Sequence, residues 1–195
     1  YLEEVGWIAD DVWCAHCVHL SDDDVQLFGE RGVGVAHCPT SNLRLGAGIA
    51  KVRELLDAGA PVGLGVDGSA SNERSDLSFE VKQAVLVARA RQGPLAMTTR
   101  EALAMATRGG AAVLRRDDIG SLEPGKRADI AVWRTDGLEL AGAADPVAGW
   151  VLAAPHRVDR LFVAGKEVVR DGRLVRADEE EIAREQRAQA RRFLP

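Results

Sequence analysis

The chain has 195 residues, 46% of them hydrophobic, so it is long enough to bury a core as one domain or two. It carries 30 acidic and 25 basic side chains and a net charge of −5, which excludes the basic surface that nucleic-acid binding requires. No apolar run approaches the ~20 residues of a membrane span, and the amino terminus does not resemble a signal peptide. We therefore expect a soluble, cytoplasmic protein that binds neither nucleic acid nor membrane.

Three cysteines all precede Pro39, and this odd number favours free thiols in a reducing compartment over a disulfide framework. The chain begins with Tyr1 and not with methionine. We therefore expect that residue 1 is not the native start.

The first third of the chain alternates short apolar runs with amphipathic stretches, as the β/α units of a parallel sheet do. Strands are predicted at residues 12–18, 34–38 and 61–67. Between the first two, Ser21 and Asp24 have the spacing of a capping box, and Gly32 ends the predicted helix. Between the second and third, apolar residues recur at helical spacing up to Gly59. Two further helices are predicted at residues 77–91 and 99–114.

The pattern changes around Asp117. From there, Gly, Asp-Gly and Pro-Gly turns separate short runs rich in β-branched residues, which predicts an antiparallel element. Its strands are predicted at residues 130–133, 161–163 and 167–169. A charged helix is predicted at residues 178–194, with acidic residues at its start and arginines at its end, as the helix dipole favours.

Three chemically capable side chains stand in or at the end of the three predicted parallel strands. Because functional groups gather at the carboxyl ends of such strands, His16, His37 and Asp67 are predicted to converge on one site. An aspartate there can hold zinc and accept a proton from water. The Asp-Gly-Ser sequence at 67–69 also fits a helix N-cap, and local chemistry leaves both interpretations open.

The histidine of the first strand is part of a C-x-x-C sequence, Cys14 to Cys17. Because side chains alternate along a strand, His16 is predicted to share a face with Cys14, and the two thiols are predicted to face opposite sides. This does not favour a structural zinc site or a redox pair. A hydrogen-bonded core histidine is the alternative interpretation of His16, and more strongly so of His19 and His156.

The segment after the second strand offers small polar groups. Ser41 and Asn42, with His37, can fix the polar edges of a ring by directional hydrogen bonds, although an ordinary Ser/Asn turn has the same sequence. The glycines around Asp67 do not match a phosphate-binding fingerprint, because the register is wrong.

Three motifs together resemble the amidohydrolase superfamily, in the branch of aminohydrolases that act on purines and triazines. These motifs are AHCVHL (15–20), AHCPTSN (36–42) and GLGVDGSASN (63–72). The later IGSLEPGKRADI (119–130) is similar to the segment by which such chains re-enter a small β-sandwich. Within the branch, VDGSASN (66–72) and AGAADPV (141–147) look most like 8-oxoguanine deaminases, formerly labelled hydroxydechloroatrazine ethylaminohydrolases.

The resemblance implies an α/β fold, namely strands 6–8 and outer helices of a TIM (β/α)8 barrel at residues 1–116. Part of a small β-sandwich with a carboxy-terminal helix then follows at 117–195. It implies one zinc ion, with Asp67 as ligand and proton shuttle and His16 polarising either the hydrolytic water or the tetrahedral centre. Zinc-bound hydroxide would attack the amino-bearing ring carbon, and ammonia would leave, giving urate from 8-oxoguanine in purine catabolism. The resemblance also raises Ser41 and Asn42 as substrate-binding residues.

In the family, a histidine pair on strand 1 supplies two zinc ligands, and an H-x-x-E motif on strand 5 supplies another histidine and a catalytic glutamate. None of these has a counterpart here. We therefore expect a fragment whose partner is the missing N-terminal half of the barrel. A zinc deaminase acting on a small purine-like molecule is then expected of the complete protein. The alternatives are a deaminase of another purine, an adenosyl compound or a triazine, and a catalytically inert fragment or complementing partner. A homo-oligomer is left open.

Overall fold

A computed structural model describes residues 1–193 of the chain. The strands are β1 Trp13–Ala15, β2 Gly34–His37, β3 Val62–Leu64, β4 Ile130–Val132, β5 Arg160–Val163, β6 Lys166–Arg170 and β7 Arg173–Leu174. The helices are α1 Asp22–Arg31, α2 Pro39–Arg44, α3 Val52–Asp57, α4 Leu77–Gln92, α5 Thr99–Ala104, α6 Gly110–Val113, α7 Pro146–Ala153 and α8 Glu179–Ala190. A π-helical turn, Met105–Gly109, joins α5 to α6, and a short 3₁₀ helix spans Leu138–Leu140.

The first three strands form a parallel sheet in the order β1-β2-β3. Cys14 pairs with Val35, and Val35 pairs in turn with Val62, so the carboxyl ends of all three strands lie along one edge. The α/β class is therefore confirmed. All three strands are shorter than the predicted runs, because pairing stops where the chain turns into the loops that hold the polar residues.

The helix between β1 and β2 begins as the sequence predicts. The Ser21 hydroxyl accepts a hydrogen bond from the Asp24 backbone N–H, and the Asp24 carboxylate accepts one from the Ser21 backbone, which completes the capping box. At the other end, Gly32 is left-handed, with φ of 65°. The apolar face of α1 buries Val25 and Phe28, and α1 packs on α3.

Glycines bring β3 against the π turn and α6. A Cβ on Gly109 would lie 2.2 Å from the Val62 carbonyl oxygen, and one on Gly63 would lie 2.9 Å from the Gly110 Cα. Only residues without a side chain permit this approach. The predicted continuous helix at 99–114 is therefore interrupted by a π turn where it crosses the strand, although its start, the Thr98–Glu101 capping box, is confirmed.

The remaining strands form an antiparallel sheet, β4-β5-β6-β7. It belongs to a compact unit made of residues 127–136 and the chain from 157 onward, whereas residues 1–126 and 137–156 form the other unit. The boundary predicted at 116/117 differs from this division, because α7 packs on α4 and α5 and so groups with the β/α unit. The predicted terminal helix is α8, which begins after its cap Asp178; Leu194 lies outside the described residues.

The core of the β/α unit consists of aliphatic and sulfur-containing side chains from both the sheet and its helices. Its members include Val25, Phe28, Val33, Val35, Leu55, Val62, Val81, Val85, Met97, Met105 and Val151. Burial of such side chains, ~1.5–3 kcal/mol each, is the main favourable term for this unit. Across residues 1–193, no helix combines the length and the apolar character needed to cross a membrane.

Candidate active site

Two of the predicted catalytic side chains meet at the carboxyl edge of the parallel sheet. His16 follows β1 and Asp67 follows β3, and the His16 Nε2 lies 3.7 Å from the Asp67 Oδ2. Their side chains are 38% and 33% exposed, so a small molecule can reach both. The structure thus brings together residues that are 51 positions apart in the chain.

The backbone explains how His16 and Asp67 leave their strands. Both have left-handed conformations, with φ of 66° and 61°, and Cys17 follows at 49°. Asp and His are among the non-glycine residues that adopt this region most readily. The expectation that His16 lies within a strand and shares a face with Cys14 is therefore wrong, since strand pairing ends at Ala15.

Hydroxyl groups surround the Asp67 carboxylate. The Ser41 Oγ lies 2.5 Å from the Asp67 Oδ2, and the Ser71 Oγ lies 3.0 Å from the same oxygen. The two hydroxyls lie 2.9 Å apart, and because each has one proton, both can donate to the carboxylate at once. The Ser41 hydroxyl, the Gly68 backbone amide and the Ser71 hydroxyl, in that order, hold the pKa of Asp67 below its ordinary value. Asp67 is therefore a carboxylate at neutral pH.

The imidazole of His16 is oriented by Asn42. The His16 Nδ1 lies 2.8 Å from the Asn42 Oδ1. A carbonyl oxygen only accepts hydrogen bonds, so Nδ1 is the protonated nitrogen that donates to it. In the neutral ring, Nε2 then carries the lone pair and faces Asp67, where it can accept a proton or a hydrogen bond.

Ser41 and Asn42 both come from the short helix α2. The AHCPTSN segment allowed an ordinary Ser/Asn turn, but Pro39 stands in the first turn of a helix, where its missing N–H costs nothing. Ser41 is fully buried and Asn42 is 2% exposed. Ser41 contacts Asp67 and Asn42 contacts His16, and a substrate-binding role for Ser41 and Asn42 stays a prediction.

His37 lies in a different environment from His16. It belongs to β2, beside Leu64 of β3, and its ring is 1% exposed. The ring lines a cavity of about 10 Å³ together with Val52 of α3 and Val87 of α4. Among the described residues, neither ring nitrogen has a hydrogen-bond partner. Burial, followed by the charge of His16, lowers the pKa of His37 to about 4, so the ring is neutral; its role in substrate binding stays a prediction.

All three cysteines are free thiols. The Cys17 Sγ lies 3.7 Å from the Cys14 carbonyl oxygen, and burial, with the charges of the other two cysteines, raises the pKa of Cys17 to about 12. A neutral thiol is a poor metal ligand and nucleophile.

The other two histidines lie outside the candidate site. His19 is exposed. The His156 Nε2 lies 2.7 Å from the Trp150 carbonyl oxygen and donates a hydrogen bond to it.

A buried carboxylate behind the site was not predicted from the sequence. Glu80 is fully buried in the first turn of α4, and it accepts hydrogen bonds from Asn72 and from the Thr40 backbone. The sequence does hold a signal for it. Glu80 lies four and eight positions before Ala84 and Ala88, so it is a charged residue in the apolar stripe of its helix.

At the candidate site, two side chains among the described residues could bind a metal ion. Asp67 offers carboxylate oxygens and His16 offers Nε2. Across residues 1–193, no group of three or more His, Cys, Asp or Glu side chains is arranged so that it could hold a metal ion.

The profile of the amidohydrolase family matches residues 1–168. The chain belongs to the amidohydrolase family. The family assignment made from the three motifs is therefore confirmed. An 8-oxoguanine deaminase from Pseudomonas aeruginosa is 46% identical to this amidohydrolase over 172 residues, which are 88% of the chain and 38% of that protein. A 5-methylthioadenosine/S-adenosylhomocysteine deaminase from Pelotomaculum thermopropionicum is 42% identical, over the whole chain and 45% of that protein.

Among solved structures, the atrazine chlorohydrolase from Arthrobacter aurescens, complexed with zinc, superposes with a TM-score of 0.90 at 41% identity. The match covers 96% of this amidohydrolase chain and 42% of the chlorohydrolase. The chain thus spans about two fifths of the length of the relatives it matches.

Proposed function

We propose that the complete protein containing this chain hydrolytically deaminates a purine-like ring, converting 8-oxoguanine and water to urate and ammonia. The observation that carries this proposal is the convergence of Asp67, ionised and held by two serines, with an oriented His16 at one accessible sheet edge. The 46% identity with an 8-oxoguanine deaminase supports the substrate. The chain then supplies strands 6–8 of a TIM barrel and part of a small sandwich.

The reaction requires a water oxygen to bond to the ring carbon that bears the amino group. The water gives up a proton as it adds, and the Asp67 carboxylate is the group that takes it. The Asp67 carboxylate passes that proton to the departing amino nitrogen, and the C–N bond breaks with release of ammonia. The second proton of the water moves from the added oxygen to the His16 Nε2 and on to the adjacent ring nitrogen, so the ring keeps the oxygen as a carbonyl. While it is protonated, His16 stabilises the charge that develops on the added oxygen. Ser41 and Ser71 keep Asp67 ionised and fixed.

Zinc enters the proposal through the relative that is complexed with it. A catalytic zinc takes three protein ligands, and the described part of this chain has no group of three donors for one ion. The donors present therefore do not form a complete zinc site. We propose that Asp67 supplies one ligand and that the others come from the part of the relatives' length that this chain does not match.

The substrate is tested by ammonia release from the complete protein. 8-oxoguanine is expected to be turned over with a kcat/KM at least tenfold above those of guanine, methylthioadenosine and a hydroxytriazine. A higher kcat/KM for methylthioadenosine would instead indicate a deaminase of adenosyl compounds, like the relative that is 42% identical to the chain. Absence of ammonia from every one of these rings would overturn the proposed deamination.

The second candidate, an inert or complementing chain, is favoured by the missing three-donor group. The 195-residue chain alone is expected to bind zinc weakly in calorimetric titration and to release no ammonia. Adding the N-terminal half in trans should restore part of the activity. Tight, stoichiometric zinc binding with turnover by the lone chain would show that another residue, such as His37 or a cysteine, completes the site.

A further inference from the structure

The carboxylate of Glu80 is removed from water by the fold, with the side chain fully buried. Burying a carboxylate costs free energy unless hydrogen bonds replace its hydration. Here each oxygen has a donor: Thr40 N–H reaches Oε2 at 3.0 Å, and Asn72 Nδ2 reaches Oε1 at 2.9 Å. Since both partners are donors, the position requires an acceptor at both oxygens.

One of these partners fixes α2. The Thr40 N–H is a first-turn amide, which has no acceptor within its own helix, and Glu80 supplies that acceptor. The next residue is Ser41, whose hydroxyl lies 2.5 Å from the Asp67 carboxylate. The hydrogen bond that the Thr40 N–H donates to Glu80 therefore holds the backbone that carries the closer of Asp67's two serine donors.

The other partner fixes the loop after β3. The Asn72 amide nitrogen donates to Glu80 and also to the Val66 carbonyl oxygen, each at 2.9 Å. Val66 precedes Asp67, and Asn72 follows Ser71, the second serine donor of Asp67. One amide group thus ties both sides of the Asp67 turn to the buried carboxylate.

We propose that Glu80 is a positioning residue of the active site, which holds Asp67 and its two serine donors in one arrangement from behind. The effect of Glu80 on turnover rests on the proposed deaminase function. The two hydrogen-bond donors of Glu80 are Thr40 and Asn72. Each lies one position from a serine of the Asp67 cluster, which consists of Asp67, Ser41 and Ser71.

Glu80→Gln in the complete enzyme tests this. A glutamine has one acceptor oxygen, so either Thr40 or Asn72 faces an NH₂ group and loses its bond. We expect kcat to fall about 10- to 100-fold with KM changed less than about threefold, as for a displaced catalytic group. In hydrogen–deuterium exchange, peptides covering 38–45 and 65–75 should exchange faster, while those covering α1 and α5 should not change.

Glu54→Gln is the matched control, because it makes the same change in a glutamate that pairs with Arg91 between α3 and α4. It should leave kcat and the exchange of both segments near wild type. The proposal is overturned if Glu80→Gln gives the same kcat as this control, or if its exchange rises uniformly along the chain. Should Glu80→Gln not fold, Asn72→Ala cuts the same link from the loop side, and an unchanged kcat and exchange there overturn it equally.

The exchange measurement separates this proposal from the proposed function. If the wild-type enzyme releases no ammonia, the function fails. Local loosening of the two segments in Glu80→Gln, without loosening elsewhere, would still support the positioning role of Glu80.

Discussion

His16 and His37 follow one another on neighbouring parallel strands, yet they lie in opposite environments. His16 comes after the end of β1 in a left-handed conformation, with a hydrogen bond to Asn42 and an accessible ring. His37 is still within β2, so the pleat of the strand directs its ring toward α3 and α4, where it is buried. A residue near a strand end reaches the site when it lies beyond the last paired residue, as Asp67 does.

The largest effect is expected for Asp67→Asn in the complete protein. Asparagine tolerates the left-handed backbone of this position, so the fold should survive while the proton acceptor is lost. Turnover is expected to fall at least ~10²- to 10⁴-fold, measured as ammonia release. Residual activity above about a tenth of wild type would remove Asp67 from the proton transfer.

A smaller loss is expected for His16→Asn. This change removes Nε2 but leaves a polar side chain next to Asn42, and it should lower kcat by about 10- to 100-fold. Zinc content, measured by metal analysis of the same preparations, should fall less than kcat does. Loss of zinc in proportion to activity would make His16 a metal ligand instead of a group that stabilises the developing charge.

The two serines should differ in effect. The Ser41 hydroxyl is 2.5 Å and the Ser71 hydroxyl 3.0 Å from the Asp67 Oδ2, so Ser41→Ala should cost about tenfold in kcat and Ser71→Ala only a few-fold. The double variant should cost more than the product of the two, because in each single variant the remaining hydroxyl partly compensates, and the double variant has neither. Equal effects of the single variants would mean that the two hydrogen bonds to Asp67 contribute equally despite their different lengths.

The smallest effect on activity is expected for His37→Leu, with KM and kcat within about twofold of wild type, because the ring is buried beside the helices. A tenfold rise in KM would instead support the substrate-binding role predicted from the sequence.

The same variant should change the pH dependence of stability. The pKa of His37 is lowered from 6.5 to about 4 by burial, so between these pH values the unfolded chain binds more protons and wild-type stability falls as pH falls. From pH 7.5 to 4.5, the wild type should lose about 2 to 3 kcal/mol more unfolding free energy than His37→Leu, measured by denaturant titration. Parallel losses in the two proteins would contradict a neutral buried His37.

The starts of two helices and the meeting of His16 and Asp67 could be predicted from the sequence. The Ser21 and Thr98 capping boxes mark where α1 and α5 begin, because side-chain to backbone bonds act within one turn. The convergence of His16 and Asp67 followed from the common edge of parallel strands.

The rest depends on contacts between distant segments. The left-handed turns at His16 and Asp67 have no local sequence requirement, so the strands end at Ala15 and Leu64, before the ends that the sequence predicts. The π turn arises from the crossing of the helix over β3, and α7 joins the β/α unit through packing that no local pattern indicates. The only local signal for Glu80 is a charge in the apolar stripe of α4, and its hydrogen-bond partners come from two other segments.

The close contact between β3 and the glycines at 109 and 110 helps to fix the position of Asp67. Val62 and Gly63 touch the helix backbone at Gly109 and Gly110 with no side chain between them, and Asp67 follows the same strand three residues after its end. The distance between strand and helix is therefore fixed by backbone atoms and cannot be adjusted by changing a rotamer. A single added methyl group at either glycine would have to push the strand forward, and the carboxylate would move with it. The position of the Asp67 carboxylate is thus set by a backbone contact behind the strand that carries it.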